Sequence, residues 1–144
     1  DPRTLALQAN LAAVHRDLGD LPEAERLLRE AFERARADLG VEHPATLVPQ
    51  AGLAAVLVDL GRPDEAAALL LRVHEIRARR LGPAHPATLR AGTGLGHLYL
   101  RGGEPRRAAA LFERVLTEDA ASNAGAEIVA SARAGLARAR EEGA

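Results

Sequence analysis

The pentapeptide His43-Pro44-Ala45-Thr46-Leu47 recurs letter for letter as His85-Pro86-Ala87-Thr88-Leu89, 42 residues further along the chain. A degenerate copy, Asp1-Pro2-Arg3-Thr4-Leu5, stands 42 residues before the first. A fixed period of this length marks a solenoid, in which stacked units share their cores. Each copy reads as the opening of a helix, because proline fits a first turn whose N–H groups have no intrahelical partner.

Working outward from the pentapeptides, the repeats span 1–42, 43–84 and 85–126, with a terminal helix over about 127–142. In the first repeat Leu5, Leu11, Ala12, His15 and Leu18 fall on one helical face, and Gln8 is the polar member of that stripe. Gly19 closes this helix, as a residue tolerant of positive φ does. Pro22, Glu23 and Glu25 open a second helix, with acids at its positive end. Its stripe is Ala24, Leu27, Leu28, Ala31 and Phe32, and Leu39-Gly40 closes it.

The second repeat follows the same plan with Leu47, Leu53, Ala54, Leu57, Gly61, Ala66, Leu69, Leu70 and Leu81-Gly82, and Gln50 matches Gln8. Pro49 is out of pattern and predicts a kink or a late start in that helix. The third repeat keeps Leu89, Leu95, Gly96, Tyr99, Gly103, Ala108, Leu111, Phe112 and Val115. Its second helix is expected to be shorter, with residues 120–126 forming a loop. Small residues (Ala12, Ala54 and Gly96 on first helices, Ala24, Ala66 and Ala108 on second helices) recur where helices of one repeat cross. Paired charges such as Glu30 with Arg34 support exposed faces.

Composition agrees with an all-helical chain. Hydrophobic residues make up 47% of the 144 positions but aromatics only 2%, so the core is built from Leu, Ala and Val. Charges balance at 19 basic against 20 acidic, which supplies no global field for nucleic acid or an anionic membrane. Every basic side chain is Arg and none is Lys, as in a GC-rich genome. With no cysteine there are no disulfides, thiolate metal sites or cysteine nucleophiles. No apolar run reaches the roughly 20 residues that span a bilayer. The chain opens in repeat register without methionine, as a piece of a longer protein does.

Chemistry-bearing patterns resolve into packing. Gly92-Thr93-Gly94-Leu95-Gly96 falls inside a predicted helix with no strand before it, so it reads as close helix approach and not as a phosphate loop. His43 and His85 sit in equivalent loops, His15 and His74 on buried stripes, and His97 alone faces outward. No metal, cofactor or catalytic constellation is expected, and the chain reads as non-enzymatic.

The repeat resembles the tetratricopeptide family. The spacing, the His-Pro-x-Thr-Leu opening and the Leu-Gly closing resemble the longer variant of kinesin light chains and many bacterial regulatory proteins. The resemblance implies an all-α, right-handed alpha-alpha superhelix whose first helices line a concave groove. Groove residues implied are Ala6, Ala9, Asn10, Ala13, Arg16 and Asp17 in the first repeat. In the second they are Val48, Ala51, Gly52, Ala55, Val58 and Asp59. In the third they are Arg90, Thr93, Gly94, His97, Leu100 and Arg101, and Ser131, Gly135 and Arg138 extend the wall. The Asn-Asn pair that grips peptide backbone in kinesin-light-chain-like repeats survives only as Asn10, since Gly52 and Gly94 replace its equivalents.

The resemblance therefore implies a cytoplasmic, non-catalytic module that binds a protein or peptide partner, as a scaffolding or regulatory part of a larger protein. The apolar, shallow middle flanked by Arg90, Arg101 and Arg138 suits a helix or apolar segment with acidic residues at one end. Two alternatives stand beside it. One is weak self-association, with the solenoid serving as a spacer. The other is a small-molecule sensor around Gly52, Gly94 and His97.

Overall fold

The computed structural model describes residues 2–122 and 125–144, omitting the side chains of residues 2 and 120–122. Within them run seven helices, α1 (Pro2–Asp17), α2 (Leu21–Leu39), α3 (Pro44–Asp59), α4 (Pro63–Leu81), α5 (Pro86–Arg101), α6 (Pro105–Ser122) and α7 (Ala126–Gly143). The first helices of the three repeats are 16 residues each, and the second helices are 19, 19 and 18. The chain divides into two compact units, Asp1–Leu69 and Leu70–Ala144, with the boundary inside α4.

The repeated pentapeptide is a jointed cap. Nδ1 of His43 accepts the Ala45 N–H at 3.0 Å, and Nδ1 of His85 accepts the Ala87 N–H at 3.1 Å. The imidazole thus takes the part usually given to a Ser or Asp side chain, satisfying a first-turn donor that lacks an intrahelical partner. Thr46 and Thr88 are buried, and their hydroxyls donate to the Gly40 and Gly82 carbonyls at 2.7 and 2.8 Å. Each joint therefore ties a new first helix to the end of the helix before it.

The turn inside each repeat is also built three times over. Beyond α1, α3 and α5 the Asp20, Arg62 and Glu104 N–H groups bond back to the His15, Leu57 and Tyr99 carbonyls, each at 2.8 Å. That closure needs a left-handed residue, supplied by Gly19, Gly61 and Gly103 at φ 83°, 77° and 76°.

The small-residue crossings lie in the core. Ala24, Ala66 and Ala108 are fully buried, and Ala12 and Ala54 nearly so. On the next helix along, Gly52 meets Leu28 and Gly94 meets Leu70, with a Cβ built on either glycine 3.1–3.2 Å from a leucine methyl. Gly135 of α7 meets Phe112 in the same way. Phe112 occupies the repeat position of Leu28 and Leu70, so α7 sits on α6 as α3 sits on α2. The larger ring also presses on Gly96, which is alanine in the other two repeats.

Four expectations are corrected. Leu11 and Leu18 are 47% and 77% exposed, whereas Leu53 and Leu95, the equivalents of Leu11, are buried. α3 turns that face onto α2, while in α1 no described helix covers it. Pro49 neither delays nor interrupts α3, which begins at Pro44 and runs to Asp59. Its missing N–H would have bonded the Ala45 carbonyl, one bond near the helix start. The expected loop over 120–126 narrows, because α6 continues to Ser122 and α7 starts at Ala126. Ala120 and Ala121 are strong helix formers that carry α6 on. Asn123 and Ala124 lie outside the described residues. Finally, Glu30 pairs with Arg26 at 2.7 Å, and Arg34 turns to Gln8 instead.

Candidate partner-binding surfaces

In the first unit α1 and α3 pack side by side and share a face. Asn10, Ala13, Arg16, Asp17, Val48 and Asp59 are exposed there, and Ala51, Gly52, Ala55 and Val58 are partly exposed. Arg16 Nε donates to Asp59 Oδ2 at 2.6 Å, joining two expected groove residues from different helices. That hydrogen bond raises the Arg16 pKa above its ordinary value, against the opposing effect of burial. The apolar strip Ala51, Ala55 and Val58 carries no charge of its own and ends at this ion pair. Small side chains along it leave a shallow surface that admits another helix or an extended segment.

In the second unit the corresponding face belongs to α5 and α7. Arg90, Arg101 and Arg138 are exposed, whereas Thr93 and Leu100 are 6% and 7% exposed and withdrawn from it. Thr93 spends its hydroxyl on the Leu89 carbonyl at 2.8 Å. α5 is packed by both α6 and α7, which leaves few of its residues free. Gly135, expected on the wall, is buried under Phe112.

His97 is half-buried and engaged. Its Nε2 lies 2.9 Å from Ser131 Oγ, and its ring meets Phe112 edge-on at 5.0 Å. Burial depresses its pKa, helped by the positive charges of Arg138 and Arg101. The imidazole joins α5 to α7. Arg77 is also partly withdrawn, donating to the Ala87 carbonyl at 3.2 Å, and burial together with Arg90 lowers its pKa.

Gly52 and Gly94 are accounted for by the leucines they face, which favours close helix approach over a ligand cradle. Among the described residues no three His, Cys, Asp or Glu side chains gather as a metal site, and no helix is long and apolar enough to cross a membrane.

The sequence profile of the tetratricopeptide repeat matches residues 3–78 and, in overlapping register, 50–117. The chain belongs to the tetratricopeptide-repeat family. A crystal structure of nearly identical TPR-like repeats, from a Podosopora anserina protein assigned to the kinesin light chains, is similar to it. The TM-score is 0.88 at 30% identity, over 99% of this chain and 68% of that one. A point-substituted variant of the same repeats gives the same figures. BtubC (BKLC) from P. vanneervenii shares the fold, with a TM-score of 0.74 at 17% identity over 99% of this chain and 64% of that one. No curated protein shows significant similarity to the chain. Tetratricopeptide repeats are protein-interaction scaffolds, and the fold expected from the pentapeptide period is the one found.

Proposed function

We propose that the chain is a non-catalytic protein-interaction module, whose first-helix face takes a peptide or helical segment of a partner as part of a larger scaffolding or regulatory protein. The observation that carries this reading is the α1–α3 face. Ala51, Ala55 and Val58 form an apolar strip left partly open by the chain itself, bordered by the exposed Asn10, Ala13 and Asp17. Apolar groups fixed on rigid helices bind with little ordering cost. Arg90, Arg101 and Arg138 on the α5–α7 face favour a segment with acidic residues. The double variant Ala55→Glu with Val58→Glu tests this. It should abolish partner capture while far-UV circular dichroism stays unchanged, and capture that survives both charges would exclude this face.

A second reading, self-association through α1, is favoured by one stripe. Leu7, Leu11, Val14 and Leu18 are 68%, 47%, 51% and 77% exposed. Their spacing of four, three and four places them on one side of the helix. Sedimentation over rising protein concentration decides between the readings. A rise in mass supports self-association, and a constant monomer mass excludes it.

A further inference from the structure

The two units treat one repeat position in opposite ways. In the first unit a charged clasp joins α2 to α4. Arg29 reaches Glu65 at 3.2 Å and Arg62 reaches Glu25 at 3.0 Å, while Arg29 also holds Glu25 at 2.7 Å on its own helix. Forty-two residues on, the same four positions read Ala67, Leu71, Glu104 and Arg107. No ion pair equivalent to Arg29–Glu65 can form, because the arginine has become leucine and the glutamate has become arginine. Arg107 turns to Glu104, just before its own helix, and to α5. It bonds Glu104 at 2.8 Å, lies 4.4 Å above the Tyr99 ring and reaches the Tyr99 hydroxyl at 3.3 Å.

Where the clasp is missing, the second unit has an open groove of about 670 Å³ lined by α4, α5 and α6. Its apolar lining is Leu71, Ala78, Leu95, Tyr99, Ala110 and Leu111. Arg79, Arg107 and Arg114 stand along it with Glu75, His74 and Tyr99, and Arg107 is already bonded to Glu104, so Arg114 is the guanidinium the site offers. A volume of this size matches small-ligand sites, which combine apolar walls with a few convergent polar groups.

The walls also say what kind of molecule fits. The lining residues lie within α4, α5 and α6 except Pro83, which has no N–H. Backbone donors and acceptors of helix interiors are already used, so the walls offer an extended peptide no backbone pairing. A ligand with an apolar body and its polarity gathered in one anionic head meets both requirements. Guanidinium groups bind carboxylates through charge-assisted hydrogen bonds.

We propose that this groove lined by α4, α5 and α6 is a binding site for a compact amphiphilic carboxylate. The aliphatic or aromatic body lies on Leu71, Leu95, Tyr99 and Leu111, and the head meets Arg114. The site is separate from the first-helix face and stands or falls independently of it.

Decanoate is the probe, followed by amide chemical shifts in a nitrogen-15 titration. Saturable shifts are expected at Leu71, Tyr99 and Leu111 below the micelle-forming concentration. 1-Decanol, which keeps the chain and lacks the head, should bind at least about tenfold more weakly, the scale of a lost charge-assisted hydrogen bond. Leu71→Arg combined with Arg107→Glu recreates the Arg29–Glu65 pair of the first unit and should remove the binding. Arg114→Gln, a surface change compatible with folding, should weaken decanoate several-fold and leave decanol unaffected. The proposal is overturned if shifts fail to saturate, gather on α1, are as strong with decanol, or persist equally in Arg114→Gln or in a folded clasp variant.

Discussion

Phe112 decides how the second unit is packed. Its ring is fully buried, with Gly96 of α5 on one side and Gly135 of α7 on the other. A methyl added at Gly135 would stand 2.6 Å from Cε2, and one at Gly96 would stand 2.7 Å from Cζ. A fixed aromatic ring has little room to give. Gly135→Ala should therefore cost about 1–3 kcal/mol through overpacking, read from thermal denaturation. Gly52→Ala should cost clearly less, because only the flexible end of Leu28 faces it at 3.1 Å. Equal losses at the two sites would contradict this account. The sequence shows the glycines and the aromatic, but not that they meet. Gly135 lies out of the strict 42-residue register with Gly94, so counting alone does not pair it with Phe112. Gln50 is another residue that counting cannot judge, for its amide is buried at 2% exposure with Oε1 unpartnered.

Among the helices, what was legible is what repeats. Proline at each first turn, glycine at each closing and the buried alanines appear three times, and local chemistry fixes them without knowledge of neighbours. What escaped reading depends on what lies against each helix. Leu11 and Leu53 are the same letter at the same repeat position, one exposed and one buried, because only α3 has a helix packed on that face. Thr93 and Leu100 were expected on an open wall, but α5 has α6 and α7 against it. The stripe on α1 gives the sedimentation experiment a residue-specific form. If mass rises with concentration, Leu11→Glu with Leu18→Glu should restore the monomer, since both side chains stand in solvent and a charge there should leave the fold intact.

At the scale of the whole molecule the two units carry different titrating groups. In the first, hydrogen bonds from Arg26 hold Glu23 below its ordinary value of 4.5, those from Arg29 do the same for Glu25, and those from Arg29 and Arg62 for Glu65. Carboxylates of depressed pKa contribute stability above 4.5 and lose it as pH falls through their lower folded values. In the second unit His74 and His97 are depressed below 6.5 by burial, aided by Arg114 at His74 and by Arg138 and Arg101 at His97. There the unfolded chain takes up protons first, so nothing is lost above 6.5 and stability declines progressively below it. Hydrogen exchange corrected for intrinsic rates should show this order. Between about pH 7.5 and about pH 5.5, protection should fall in 70–144 and hold in 2–69, and a uniform fall would refute the assignment.

The Phe112 contact bears on how such a chain is lengthened. Arrays of this kind grow by copying and reshuffling their modules, which works freely only when neighbouring modules share one coupling. Leu28 and Leu70 make such a coupling, since each asks its successor only for a glycine opposite a flexible leucine. The module ending in α6 asks for more, a glycine within its own first helix as well as one in the helix that follows. A duplicate of it inserted elsewhere would carry Gly96 along, but would fit only ahead of a helix already bearing the matching gap. Phe112 thus makes this module the least forgiving of the three toward the helix that follows it.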